Sequence, residues 1–160
     1  MTVFPYPIDV QINVRPEMVG DGSLHRLCLT MLDIGVTGLE VNFVDPWSPR
    51  FEEAIGIIEE SGLQFATFAS GATAKARGIS LSSSDHDTRK RSVDAVADLA
   101  ERLKPFSTPI VLGFAKGIPD DYDDEVVPRF TESLDEVVRR IPDTGIPIVV
   151  EATNHYESPV

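Results

Sequence analysis

Two hydrophobic periods take turns along this chain, and their alternation restricts it to a parallel α/β fold. Ile8, Val10, Ile12 and Val14 alternate with polar residues, the period of a strand. Leu24, Leu27, Cys28, Met31 and Ile34 then recur at helical spacing, and Gly35 is placed to end that helix. Residues 38–43 read as a second strand. Ser48-Pro49 opens the next helix, because Ser caps and Pro suits the first helical position. Phe51, Ile55 and Ile58 mark its buried face, and Gly62 ends it. Residues 63–69 form a short apolar run suited to a buried parallel strand.

The pattern continues through 85–104, a helix burying Val93, Val96, Ala97, Ala100 and Leu103, with Ser84 and Asp87 spaced as a capping-box variant. Residues 109–113 make a fourth strand. Val127, Phe130, Leu134, Val137, Val138 and Ile141 form the stripe of a fourth helix, closed by Pro142 and Gly145. Residues 146–150 are a fifth strand, apolar on both faces. Pro16 and Gly20-Asp21-Gly22 read as a break after strand one, and 70–84 as a long loop rich in Gly and Ser.

The order is therefore five strands and four helices in one α/β domain, 1–160, with right-handed crossovers between parallel strands. An open doubly wound sheet and part of a (β/α)8 barrel both fit this pattern. There is no G-x-G-x-x-G after the first strand and no G-x-x-x-x-G-K-[ST], so dinucleotide and P-loop readings lose their support. A complete barrel takes about 200 residues or more, so the barrel reading is of an incomplete one.

Charge narrows the partners. With 14 basic and 26 acidic residues the formal net charge is −12, which repels phosphate backbones and argues against general nucleic-acid binding. A metal cation or a neutral sugar is an easier guest. Cys28 is the only cysteine, so no intrachain disulfide can form, and its place on a helical stripe reads as core. No signal peptide or membrane-length apolar run is visible. A cytoplasmic protein is expected.

In parallel α/β folds ligands meet the carboxyl ends of the strands. That rule selects Asn13, Arg15, Asn42, Asp45, Ser70, Gly113, Lys116 and Glu151, with Asn154, His155, Tyr156 and Glu157 behind it. A carboxylate at a strand end is held rigidly, as a general base or metal ligand must be. Lys116 can neutralise a phosphate or sugar oxygen, or be a solvated loop lysine. Glu40 is read at the end of strand two as a site-lining residue. Trp47 can stack on a sugar ring or pack beneath a helix. His25 and His86 read as surface residues.

Residues 149–157, Val-Val-Glu-Ala-Thr-Asn-His-Tyr-Glu, resemble the fifth-strand motif of the xylose isomerase-like barrel superfamily, roughly E-x-x-N-x-[YF]-E. Residues 35–40, 61–64, 78–85 with Arg89, and 111–117 resemble its earlier strands and loops. The resemblance implies a metal-dependent isomerase or epimerase of a small sugar or sugar phosphate. Glu151 would be the catalytic carboxylate and the first ligand of a divalent metal (Mn, Mg, Co or Zn), with Glu157, Asn154, Lys116 and Glu40 toward the substrate. The family's remaining ligands belong to strands six to eight, so these residues alone are expected to be inactive. A noncatalytic or assembly-dependent half-barrel, self-associating through its open sheet edges, is the alternative. An endonuclease IV-like repair enzyme is a weaker one.

Overall fold

Strand β1 (Asp9–Val14) shows the two-residue period turned into a sheet: Ile12 and Val14 are buried while Asp9, Gln11 and Asn13 are exposed. The computed structural model describes residues 6–118, 122–153, 158 and 160. Two compact units are distinguished within the expected domain, Met1–Ala69 and Ser70–Val160.

In the first unit β1, β2 (Gly38–Phe43) and β3 (Gln64–Ala69) lie parallel and in chain order. A register shift between Leu39 and Glu40 sets Thr67 opposite Glu40. The extra residue of a bulge thus brings two polar side chains onto one face. Helices α2 (Ser23–Asp33) and α3 (Pro49–Glu60) fall where their spacing placed them. The Ser48 hydroxyl accepts from Arg50 N–H at 3.2 Å, and Gly62 takes φ 93°, where a side chain would be strained. Cys28 is fully buried, and burial pushes its thiol pKa up. Ile34 departs from the expected stripe. It sits at the helix C-cap and is 59% exposed.

The segment read as a break contains a short helix, α1 (Pro16–Gly20), with Pro at its start. In the second unit, the supposed 70–84 loop opens with another, α4 (Gly71–Arg77). Its Ala72, Ala74 and Ala76 favour the helix, and Gly78 at φ 63° closes it. The described residues therefore hold six α-helices rather than four.

Helix α5 (His86–Leu103) buries Val93, Val96, Leu99, Ala100 and Leu103. Its cap is Asp85, whose carboxylate accepts from Thr88 N–H at 2.6 Å, so the expected Ser84–Asp87 box is displaced by one residue. That bond holds the Asp85 carboxyl below its usual pKa. A depressed carboxylate stabilises the fold above its unfolded pKa and loses that contribution as pH falls through the lower, folded value. Asp85→Ala is expected to lower the melting temperature at neutral pH and to flatten its fall in acid. Calorimetry across the carboxylate range checks both; an unchanged acid limb would be inconsistent with this capping role.

Strands β4 (Ile110–Leu112) and β5 (Ile148–Val150) pair in parallel, Ile110 with Ile148 and Leu112 with Val150. Between them runs α6 (Val126–Arg140). It buries Val126, Phe130, Ser133 and Val137, whereas Val127 and Val138, expected in the stripe, are 56% and 53% exposed. Strand β5 is also less covered than an interior strand: Val149 and Val150 are 43% and 47% exposed. The fold is thus parallel β/α units of TIM-barrel type, and neither unit closes a barrel by itself. Among the described residues no helix is long and apolar enough to cross a membrane.

Candidate functional site at the β4 and β5 exits

Glu151 is the first residue past β5. Its N–H donates to Leu112 O at 3.2 Å, extending the β4–β5 ladder by one bond and fixing its main chain. The residue is exposed, so the carboxylate is accessible. It lies against Gly113, the residue just past β4. A Cβ at Gly113 would sit 2.6 Å from Glu151 Oε2, so only glycine leaves the carboxylate its present place.

A 3-10 turn at Phe114–Lys116 follows Gly113 and carries Lys116 inward. Neither sequence reading anticipated where its ammonium goes. Lys116 is 1% exposed, and Nζ donates to Glu151 O at 2.6 Å, to Thr153 Oγ1 at 3.1 Å and to Val160 O. An ammonium has three N–H groups, and three acceptors meet them. Burial lowers the Lys116 pKa, and the nearby Glu151 carboxylate opposes that shift. The turn itself is tied down, since Lys116 N–H donates to Gly113 O at 3.2 Å and Lys116 O accepts from Ser82 N–H at 2.9 Å.

Ser70, just past β3, is buried and gives both its N–H and its hydroxyl to Val111 O, at 3.1 and 2.8 Å. Those bonds brace β4 from the side. Lys75 on α4 places its ammonium 3.7 Å from the centroid of the Phe114 ring, a cation–π contact on the turn that carries Lys116.

In the first unit, Glu40 is not at a strand end. It is the third residue of β2, half-buried, and both carboxylate oxygens are engaged: Gln11 Nε2 at 2.5 Å and Thr67 Oγ1 at 2.9 Å. The carboxylate links three neighbouring strands. Asn13 and Asn42 face each other two pairs nearer the carboxyl ends. Asp45 and Arg15 are exposed, and Arg15 pairs with Glu17 at 3.3 Å. Trp47 is half-buried; His25 and His86 are exposed on their helices. Asn154, His155, Tyr156 and Glu157 lie outside the described residues.

Among the described residues no three His, Cys, Asp or Glu side chains gather as a metal cage. Glu151 supplies one hard oxygen ligand, and a divalent cation needs several. The described residues therefore do not by themselves fit a metal centre. What they make is an accessible carboxylate at the end of a parallel strand, on a main chain bonded to β4. Gly113 and Lys116 were both picked from strand-end positions, but the space that the first leaves and the pin that the second forms were not. Thr153 was missed, and nothing local in the sequence marks it.

The profile of the xylose isomerase-like TIM barrel family matches residues 30–160. A crystal structure of a D-allulose 3-epimerase from Methylomonas sp. superposes with a TM-score of 0.60 at 17% identity, covering 98% of this chain and 56% of that one. The chain thus spans little more than half the length of that solved structure. A comparison with curated proteins returns no match.

Proposed function

The chain belongs to the xylose isomerase-like TIM barrel family, and on that basis we propose that it serves the isomerisation or epimerisation of a small sugar or sugar phosphate, with Glu151 as the group that moves the proton. One observation carries this reading: an accessible carboxylate whose main chain is fixed from β4 while its side chain occupies the space left by Gly113. Proton abstraction by Glu151 beside a carbonyl gives an enediolate. Return of that proton to the neighbouring carbon, with the hydroxyl proton passing to the former carbonyl oxygen, gives the isomer, while the epimer requires a second acid on the opposite face, beyond the described residues. A base at this position contributes about 10²–10⁴-fold to such a step. A divalent metal is the family expectation; holding one at Glu151 requires ligands beyond the described residues, and the proton step above is stated without it.

Binding is the test suited to these residues alone. Millimolar ketohexose, or its phosphate, is expected to shift the amide NMR signals of Gly113, Glu151 and Thr153, and Glu151→Gln to weaken that response. Shifts confined to other surfaces, or none, count against the proposal. Useful steady-state turnover by the 160-residue chain is not expected, since the solved epimerase it resembles carries nearly half of its length beyond the matched part. Turnover with added Mn²⁺, Mg²⁺ or Co²⁺ that vanished in Glu151→Gln would overturn that last expectation while supporting the role of the carboxylate.

A further inference from the structure

We infer that Lys116 is a positioning residue, whose buried ammonium pins the exit of β5 and thereby sets where the Glu151 carboxylate stands. The inference rests on the reading of Glu151 as the working carboxylate. Lys116 does not face solvent, so it is badly placed to meet a substrate. Its acceptors are the Glu151 carbonyl, the Thr153 hydroxyl and the Val160 carbonyl, all on the segment after β5. A neutral amine has two N–H groups and a lone pair, and the pair would point at an oxygen. The two carbonyls can only accept, and with the Thr153 hydroxyl accepting as well the three oxygens match the three N–H groups of an ammonium; a neutral amine would need that hydroxyl to turn and donate.

The grip is on the main chain of Glu151, not on its carboxylate. Two contacts hold that main chain: Leu112 O takes the N–H, and Lys116 Nζ meets the C=O. With both ends of the residue held, the side chain starts from a fixed point and lies in the space over Gly113. The base of the pin is fixed as well, because the backbone of Lys116 is bound by Gly113 and Ser82. Substitution of the lysine thus frees the main chain of Glu151 and removes a nearby positive charge, while leaving the carboxylate itself in place.

Isotope-labelled protein tests this. In the native chain the Lys116 ammonium should give a slowly exchanging nitrogen signal, separate from the exposed Lys75, Lys90 and Lys104, with a coupling across the hydrogen bond to the Glu151 carbonyl carbon. Lys116→Met should speed amide exchange at Glu151, whose N–H is bound by Leu112 O, about tenfold or more and move the Glu151 side-chain signals, leaving the Phe51 and Phe68 amides unchanged. Lys116→Cys in a Cys28→Ala background, alkylated with 2-bromoethylamine while unfolded and then refolded, restores an ammonium of the same reach and should restore the native pattern. Should Lys116→Met fail to fold, Thr153→Val removes a single acceptor and should raise exchange at Glu151 several-fold. A Lys116 signal averaged with the exposed lysines overturns the inference, as does a folded Lys116→Met with unchanged exchange or an alkylated variant that does not recover. Glu151→Gln should leave the ammonium signal in place even if sugar binding is lost, which separates failure of the pin from failure of the proposed function.

Discussion

Phe51→Ala is expected to lower the unfolding free energy by about 3–5 kcal/mol, the range for removing a buried aromatic ring. Phe51 is fully buried in the first turn of α3. Its ring meets three others edge-on: Phe43 at 5.4 Å, Phe68 at 5.8 Å and Phe65 at 6.1 Å between centroids. These rings come from β2 and β3, so the one side chain joins the helix to two strands. The helix start is set by Ser48 and Pro49, and cannot easily slide to fill the gap. Against a total stability of about 5–15 kcal/mol for a typical domain, the loss is large enough to unfold much of the sample on mild warming. Urea unfolding of the native and variant chains measures it. A change below about 1 kcal/mol would mean that the cluster relaxes and is not the keystone of this unit.

Much of this architecture is legible because local rules and packing agree. Strand β2 reads correctly from its β-branched and apolar residues, and α3 from its cap, its stripe and Gly62. The phase of α6 does not read correctly, for a definite reason. Val126 and Val127, and Val137 and Val138, are adjacent apolar pairs, and a step of about 100° per residue lets either member lead the stripe. Packing chose Val126, Phe130, Ser133 and Val137, and so put a serine in a core position that hydrophobicity would have refused. Helix α4 was hidden by its opening glycine and its length of 7 residues. Glu40 was read at a strand end, but β2 runs on to Phe43.

The site divides along the same line. Glu151 could be picked out because a strand end is a local property. The fate of Lys116 could not, since a lysine at the end of one short turn after a glycine looks the same whether it meets water or a carbonyl 35 residues further along. Burial of a charge is decided by the tertiary fold that delivers its acceptors. The same holds for Gly113, whose missing side chain matters only because Glu151 arrives beside it.

The half-covered β5 leads to the second large effect, self-association. Among the described residues β5 pairs with β4 alone, so one side of its backbone offers unpaired N–H and C=O groups. Exposed edges of this kind recruit further strands. Val149 and Val150 are nearly half exposed there. Beside them an apolar groove of about 290 Å³ is lined by Val138, Ile141, Pro142, Gly145, Ile146 and Ile148. A second copy of the chain is the partner always present in a purified sample, and it carries the same edge and groove. Net charge opposes the encounter: each chain has −12, and that repulsion is screened within about 3–10 Å at 0.1–1 M salt. Association is therefore expected to strengthen as salt rises, the opposite of an ion-paired interface. Light scattering at tens of micromolar should show dimers or larger species at about 0.5 M salt and less at low salt. The double substitution Val149→Lys with Val150→Glu places opposite charges on the edge without altering net charge, and should return the chain to a monomer. A dispersed native monomer at both salt levels, or a double variant that still associates, would show that β5 is not the adhesive edge.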